Sequence, residues 1–175
     1  SHGSMNNLAM GSRVDGAQWD YYETMGGGMG AGPEHGGLSA VQTHMTNTLN
    51  TPIEVLESHY PLRIRRYAVR ENSGGEGLHR GGDGLVREIE FLQPATFTLL
   101  TERRRHRPWG LAGGQAGAAG ENHLNNVLLA PKTTGTAEVG DRLTIATPGG
   151  YRYGDVQDET RHKKCHKSLP HARTR

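Results

Sequence analysis

Residues 84–103 read GLVREIEFLQPATFTLLTER, and this stretch decides the fold. Leu85, Ile89 and Phe91 share one face of the first half of this stretch, and Phe97 and Leu99 share one face of the second. Successive side chains of a strand point to opposite faces, so this spacing predicts two strands that each bury one face. A turn that contains proline separates them. We therefore expect a β-hairpin whose two phenylalanines lie at the centre of the core.

Four further segments have the alternation and the flanking turn residues of strands: residues 18–25 (QWDYYETM), 62–69 (LRIRRYAV), 123–130 (HLNNVLLA) and 141–147 (DRLTIAT). One short helix is predicted between the first two. Thr51 is its expected N-cap, Pro52 its first residue and Glu54 its capping-box partner, and Pro61 ends it. The predicted fold is α+β and mostly β, with about six strands in antiparallel sheet, one short helix and long glycine-rich loops.

The composition indicates a single glycine-rich domain with a thin core. The chain has 26 glycines among 175 residues, and only 30 residues are Leu, Ile, Val or Phe. Residues 5–155 form the predicted domain. Residues 1–4 are interpreted as an expression remnant, and residues 156–175, which have no apolar periodicity, as a disordered basic tail.

The net charge of +2 comes from the end of the chain. Residues 155–175 hold six Lys or Arg against three Asp or Glu, whereas residues 1–154 hold fourteen against fifteen. A nearly neutral body gives no field for a nucleic-acid surface, so nucleic acid is excluded as a partner. No apolar run has the length of a membrane span and no signal sequence is recognisable, so we expect a cytoplasmic protein without membrane contact. Self-association into a homo-oligomer stays open.

The first candidate site is the uncharged segment of residues 43–52. It contains His44, Asn47, Thr48 and Asn50, whose hydrogen-bonding groups could orient a small polar substrate. The same residues could instead cap the following helix and satisfy the backbone of the turn. The sequence alone slightly favours the capping role.

The second candidate site is the basic stretch RRRHRPW at residues 103–109. If the strand continues into it, Arg104 and His106 share one face and the other arginines point the opposite way. A row of guanidinium groups could hold a carboxylate or a phosphate. The simpler interpretation is pairing with nearby carboxylates, those of Glu88, Glu90 and Glu102.

The glycine-rich stretch MGGGMGAG at residues 25–32 follows a predicted strand and could hold phosphate through its backbone amides. It has the spacing of neither phosphate-binding glycine motif, so close packing of the backbone is the favoured role. Metal-ligand spacing is poor throughout, with no HExxH and no CxxC. We predict neither a metal site nor a cofactor site in this chain.

Seven segments, in order, carry a resemblance to a known family: MNNLAMG (residues 5–11), YYETMGGGMGAG (21–32), THMTNTLNTPIEVLE (43–57), YPLRIRRY (60–67), SGGEGLHRGGDGLVREIEFL (73–92), ERRRHRPWGLAGG (102–114) and TPGGYRYGD (147–155). Together they resemble the C-terminal part of the hydantoinase B/oxoprolinase family over about residues 5–155. The order of the seven segments makes this resemblance more specific than any single motif.

The resemblance implies a module of an ATP-dependent enzyme that hydrolyses a C–N bond in a small cyclic amide, such as a hydantoin or 5-oxoproline. In that family a hydantoinase A-type subunit handles ATP, and the B-type subunit binds a divalent metal upstream of the part resembled. The implied module contacts both partners, shapes the substrate pocket and is inactive alone. A non-catalytic binding or structural protein derived from the module is the alternative. The pocket candidates are His44, Asn47, Thr48, Asn50, Arg104 and His106.

Overall fold

The structure, a computed structural model, describes residues 2–13, 18–46 and 48–155 of the chain. The strands in these residues are β1 (Asn6–Ser12), β2 (Trp19–Met25), β3 (Leu62–Arg70), β4 (Gly84–Phe91), β5 (Ala95–Leu100), β6 (Glu121–Leu124), β7 (Val127–Leu128), β8 (Lys132–Ala137) and β9 (Arg142–Ala146). One helix, α1, spans Ile53–His59, and a 3-10 turn spans His44–Thr46. The prediction of a mostly-β, α+β fold is confirmed. The segment 123–130, predicted as one strand, instead contains the end of β6, a turn at Asn125 and Asn126, and β7.

The strands form two antiparallel sheets. The four-stranded sheet has the order β2-β1-β5-β8, and the five-stranded sheet has the order β3-β4-β9-β6-β7. The predicted hairpin of residues 84–103 is wrong, because β4 pairs with β3 and β9 while β5 pairs with β1 and β8. Residues 92–94 carry the chain from one sheet to the other.

One hydrophobic core takes side chains from both sheets. Phe91 of β4 and Phe97 of β5 are buried in it, with their ring centroids 6.4 Å apart. The predicted central position of the two phenylalanines is confirmed, although they come from different sheets. Around them lie Leu8, Met10, Tyr21, Met25, Leu85, Ile89, Leu99, Leu143 and Ile145.

The helix α1 begins without the predicted cap. Pro52 occupies the N-cap position and makes no side-chain hydrogen bond there. The backbone amide of Thr51 donates instead to Oε1 of Glu23 at 3.0 Å. The capping box of Thr51 and Glu54 is therefore wrong, because a carboxylate from β2 holds the residue before the helix. The buried side chain of Leu56 anchors the helix to the core.

Two strands, β1 and β8, had no counterpart in the sequence prediction. The sequence of β8 is KTTGTA, which lacks large apolar residues. A Cβ atom at Gly135 would lie 2.7 Å from the ring of Phe97, so the phenyl ring fills the space beside this strand. Glycine is therefore required at this position, and the strand as a whole shows no hydrophobic alternation to recognise.

Several glycine-rich segments pack backbone to backbone, and we call this arrangement the glycine junction. The amide of Gly82 donates to the carbonyl of Met29 at 2.8 Å, and the amide of Gly150 donates to the carbonyl of Gly82 at 2.7 Å. The structure thus supports close packing as the role of the first glycine-rich loop. The junction comprises residues 26–30, Gly37, 74–75, 81–82 and 149–150.

The first described residues pack as part of the domain. His2 is fully buried, and the hydroxyl of Ser4 accepts a hydrogen bond from the amide of Glu102 at 3.0 Å. We propose on this basis that residues 2–4 are domain residues and not an expression remnant. The predicted basic tail, residues 156–175, lies outside the described residues. None of the helices in the described part of the chain is long and apolar enough to cross a membrane.

Candidate functional site

The basic stretch 103–109 is a loop and not an extension of β5. The strand ends at Leu100, and Arg103 has a φ of 58°, in the left-handed region. The predicted separation of Arg104 and His106 from the other arginines is therefore wrong, because it assumed the alternation of a strand.

The predicted ion pairs of this loop do not form among the described residues. Cations from other strands neutralise the three carboxylates instead: the pairs are Arg65–Glu90 at 2.5 Å, Arg142–Glu88 at 3.6 Å and Lys132–Glu102 at 2.6 Å. Within the described chain, no guanidinium of the basic loop is therefore matched by a carboxylate in direct contact.

Arg104 is anchored by side chains from both sheets. Its Nη1 donates to Oδ1 of Asn6 on β1 at 2.5 Å, and its Nη2 donates to Oδ1 of Asn122 on β6 at 2.8 Å. Asn122 in turn donates to Oγ1 of Thr101 at 2.9 Å, and the Nδ2 of Asn6 lies 3.1 Å from Nε2 of His2. We call these five side chains the Arg104 network. It holds the base of the basic loop in one geometry.

The direct acceptors of Arg104 are all neutral. They are the two asparagine oxygens and the carbonyl of Glu102, and no described residue accepts from its Nε. Burial, followed by the charge of Arg70, lowers the pKa of Arg104 to about 9. The guanidinium therefore stays charged at neutral pH, and a desolvated cation without a counter-ion in contact favours the approach of an anion.

His2 is neutral in the folded protein. Burial is the main reason that its pKa is lowered to about 4, and the charge of Arg104 acts in the same direction. Since Oδ1 of Asn6 accepts from Arg104, the amide Nδ2 faces His2, and Nε2 of the imidazole must accept. A protonated imidazole could not accept this hydrogen bond.

The stability of the protein should therefore fall as the pH drops below about 6.5. In that range His2 is protonated in the unfolded chain, whereas in the folded chain it stays neutral until the pH nears 4. At pH 5 the loss from this residue amounts to about 2 kcal/mol. Urea unfolding at pH 7.5 and at pH 5 measures the free energy of unfolding at each pH. We expect this free energy to decrease more in the parent than in His2→Gln, by about 2 kcal/mol. The glutamine keeps a hydrogen-bond acceptor but does not titrate. Identical pH dependence in both proteins would contradict the assignment.

Two adjoining cavities open beside the Arg104 network. The basic cavity has a volume of about 380 Å³ and is lined by residues 102–106, Gly3 and Pro131. The second cavity, of about 270 Å³, shares Gly3 and Arg103 with it and is mainly apolar, with Trp109 in its wall. The guanidinium of Arg103 lies 4.3 Å from the centroid of the Trp109 ring. The structure thus brings together two of the predicted site residues, Arg104 and His106.

The predicted residues of the uncharged segment do not join them. His44 and Thr48 are exposed, and Asn50 is half-buried. None of these three residues lines either cavity. Asn47 lies outside the described residues. Nδ2 of Asn50 donates to Oε1 of Glu23 at 2.8 Å, so this asparagine helps to orient a buried carboxylate.

That carboxylate belongs to an ion pair that the sequence analysis missed. Arg87 of β4 is fully buried, and its Nη1 donates to Oε2 of Glu23 on β2, so the pair joins the two sheets. Arg87 also lies 5.1 Å from the ring centroid of Tyr67. The sequence did hold a signal for it. Arg87 stands two residues from both Leu85 and Ile89, so all three side chains point to the buried face of the strand.

The described residues do not fit the metal and the nucleotide that the resemblance implies. No group of three or more His, Cys, Asp or Glu that could hold a metal ion occurs in residues 2–13, 18–46 and 48–155. The amides of Gly28, Met29 and Ala31, which could have held a phosphate, donate to backbone carbonyls at 2.8–3.0 Å. No catalytic step is therefore assigned through either group in this chain.

Comparison with known proteins identifies the family. A sequence model of the family described as Hydantoinase B/oxoprolinase matches residues 1–156. The 5-oxoprolinase 1 of Arabidopsis thaliana is 52% identical over 159 aligned residues, which cover 88% of this chain and 12% of that protein. The 5-oxoprolinase of Dictyostelium discoideum is 44% identical with the same two coverages.

Among solved structures, the ATP-dependent caprolactamase from Pseudomonas jessenii is similar, with a TM-score of 0.71 and 28% identity. The match covers 88% of this chain and 29% of that one. The chain spans 12% of the length of the two 5-oxoprolinases. Since the family match extends over every described residue, the chain belongs to the hydantoinase B/oxoprolinase family.

Proposed function

We propose that this chain is a module of an ATP-dependent enzyme that opens a small cyclic amide, of the hydantoinase or 5-oxoprolinase type. The match of residues 1–156 to the family is the observation that carries this proposal. The similarity to an enzyme that acts on caprolactam, itself a cyclic amide, supports the same class of substrate.

Within that enzyme the module shapes the substrate pocket and contacts its partners. A hydantoinase A-type subunit supplies the ATP-dependent step, and an upstream B-type segment supplies the divalent metal. In support of this division, the amides of Gly28 and Met29 donate to backbone carbonyls, and Glu88 and Glu90 form ion pairs with arginines. We place the assembled enzyme in the cytoplasm.

The proposed pocket residues offer two kinds of chemistry. His44, Asn47, Thr48 and Asn50 provide uncharged donors and acceptors that suit the N–H and C=O groups of a ring amide. Arg104 provides a cationic donor in a cavity and His106 provides an imidazole ring there, and both suit the negative charge that develops on an amide oxygen during attack. Of the described candidates, His44, Thr48 and His106 are exposed, so replacing them should not disturb the fold.

The proposal predicts a kinetic effect without a stability effect. In a complete B-type subunit that carries this sequence, assembled with its A-type partner, His44→Ala and His106→Ala should each lower kcat/KM at least tenfold. Tenfold corresponds to about 1.4 kcal/mol of transition-state stabilisation. The melting temperature should remain within about 2 °C, because a change on an exposed surface costs little.

The matched control is His59→Ala, since His59 is an exposed histidine at the end of α1, outside both candidate clusters. Its kcat/KM should stay within twofold of the parent. Unchanged kinetics in both His44→Ala and His106→Ala would count against the pocket assignment. Failure of the chain to join either partner in a co-purification would favour the non-catalytic binding or structural protein.

A further inference from the structure

We propose that the basic cavity binds an oxyanion, either the carboxylate of a small organic acid or a phosphoryl group. The inference rests on the proposed function in one respect, since it gives a ligand chemistry to one of the two proposed pocket clusters. It concerns the cavity lined by residues 102–106, Gly3 and Pro131, which the family comparison does not assign to any ligand.

The charge balance of the cavity favours an anion. Three arginines and a histidine line it, and Glu102 is the one carboxylate among the lining residues. Lys132 already neutralises that carboxylate at 2.6 Å. The cavity therefore keeps a positive charge that no described residue cancels, and focusing between low-dielectric walls strengthens its attraction for an anion.

Two of the arginines are held in place before any ligand arrives. Arg104 is fixed by Asn6 and Asn122 from opposite sheets, and Arg103 is stacked on the ring of Trp109. A fixed guanidinium loses little side-chain entropy when it binds an oxyanion. Burial also removes competing water, which strengthens each charged hydrogen bond.

The remaining groups at the mouth of the cavity are available for a ligand. Arg105 and His106 are exposed, and neither makes a hydrogen bond or an ion pair with another described residue. The adjoining cavity, mainly apolar and walled by Trp109, could take the uncharged body of the same ligand. Its position beside Arg103 fits a small molecule with an anionic head and a short apolar or planar body.

The test is a binding titration of the purified full chain, labelled with ¹⁵N and followed by NMR. The probes are inorganic phosphate, acetate and benzoate, each compared with potassium chloride at equal ionic strength. We expect saturable shifts at the backbone amides of Gly3 and His106 with phosphate or with the carboxylates, and none with chloride. The probe that binds more tightly identifies the preferred head group, phosphate or carboxylate. If the second cavity takes the body of the ligand, benzoate binds more tightly than acetate, and Trp109→Ala abolishes this difference.

Variants separate a built site from general charge attraction. Arg104→Gln and Arg105→Gln should each raise the dissociation constant of the anion at least fivefold, whereas Arg63→Gln should change it less than twofold. Arg63 is an exposed arginine on β3, so the last variant removes the same charge elsewhere. If Arg104→Gln fails to fold, Arg105→Gln and His106→Ala decide the question, because both positions are exposed.

The proposal would be overturned if Arg63→Gln raised the dissociation constant as much as Arg104→Gln and Arg105→Gln do. It would also be overturned if chloride caused the same amide shifts as the oxyanions. The readout is independent of turnover, so the two proposals can fail separately. An oxyanion that binds while His44→Ala and His106→Ala leave the kinetics unchanged would refute the pocket assignment alone. Kinetic loss in those variants without any anion binding to the full chain would refute the oxyanion site alone.

Discussion

Replacing Gly82 by alanine is expected to cost about 3 kcal/mol or more of unfolding free energy, at the upper end of the effects of overpacking. A Cβ atom at this position would lie 1.8 Å from the carbonyl oxygen of Leu38 and 2.3 Å from its carbon. Both are backbone atoms that cannot rotate away. Gly82 also donates to Met29 and accepts from Gly150, so any shift of its backbone disturbs two other segments of the glycine junction.

The matched control is Gly36→Ala, a glycine in another loop of the same region. There a Cβ atom would meet a single atom, the carbonyl oxygen of Arg80 at 3.2 Å, and the residue is exposed. This variant should stay within about 1 kcal/mol of the parent. Urea unfolding followed by circular dichroism measures both. Similar costs for the two variants would show that the glycine junction is not closely packed in solution.

The individual strands could be predicted because their signal is local. In β4 and β5 the alternation of Leu85, Phe91 and Phe97 with polar residues sets which side chains are buried, and the structure buries all three. The same alternation does not say which strands are neighbours. Both a hairpin and two facing sheets bury these residues, so the sequence could not decide between them. The hairpin was therefore the wrong choice from a pattern that fits both.

The site was predicted in part for a related reason. Arg104 and His106 were recognisable because a run of basic residues is visible in the sequence. The partners that anchor Arg104 were not, since Asn6 and Asn122 are distant in the chain and come together only when the two sheets pack. The ion pairs expected between the loop and nearby carboxylates were wrong. Those carboxylates pair with cations from neighbouring strands instead, as Glu102 does with Lys132.

The buried ion pair between the sheets is the second place where a large effect is expected. Arg87→Met should cost about 3–5 kcal/mol, the usual result of removing one partner of a buried pair. The carboxylate of Glu23 would keep Asn50 and the amide of Thr51 but lose its only cationic neighbour in direct contact among the described residues. Arg65→Met is the matched control, because Arg65 forms a partly exposed pair with Glu90. We expect that variant to cost less than about 1 kcal/mol.

A double variant tests whether the unpaired carboxylate of Glu23 causes the loss of stability. Glu23→Gln keeps an oxygen that can accept from Asn50 and Thr51, but it carries no charge to desolvate. Combined with Arg87→Met, it should therefore restore at least about 1 kcal/mol relative to Arg87→Met alone, since replacing both members of a buried pair costs less than removing one. Guanidinium chloride unfolding at pH 7 gives the four free energies of the cycle. If the double variant is less stable than Arg87→Met, the loss comes from the packing of the arginine side chain and its contact with Tyr67, and not from the unpaired carboxylate.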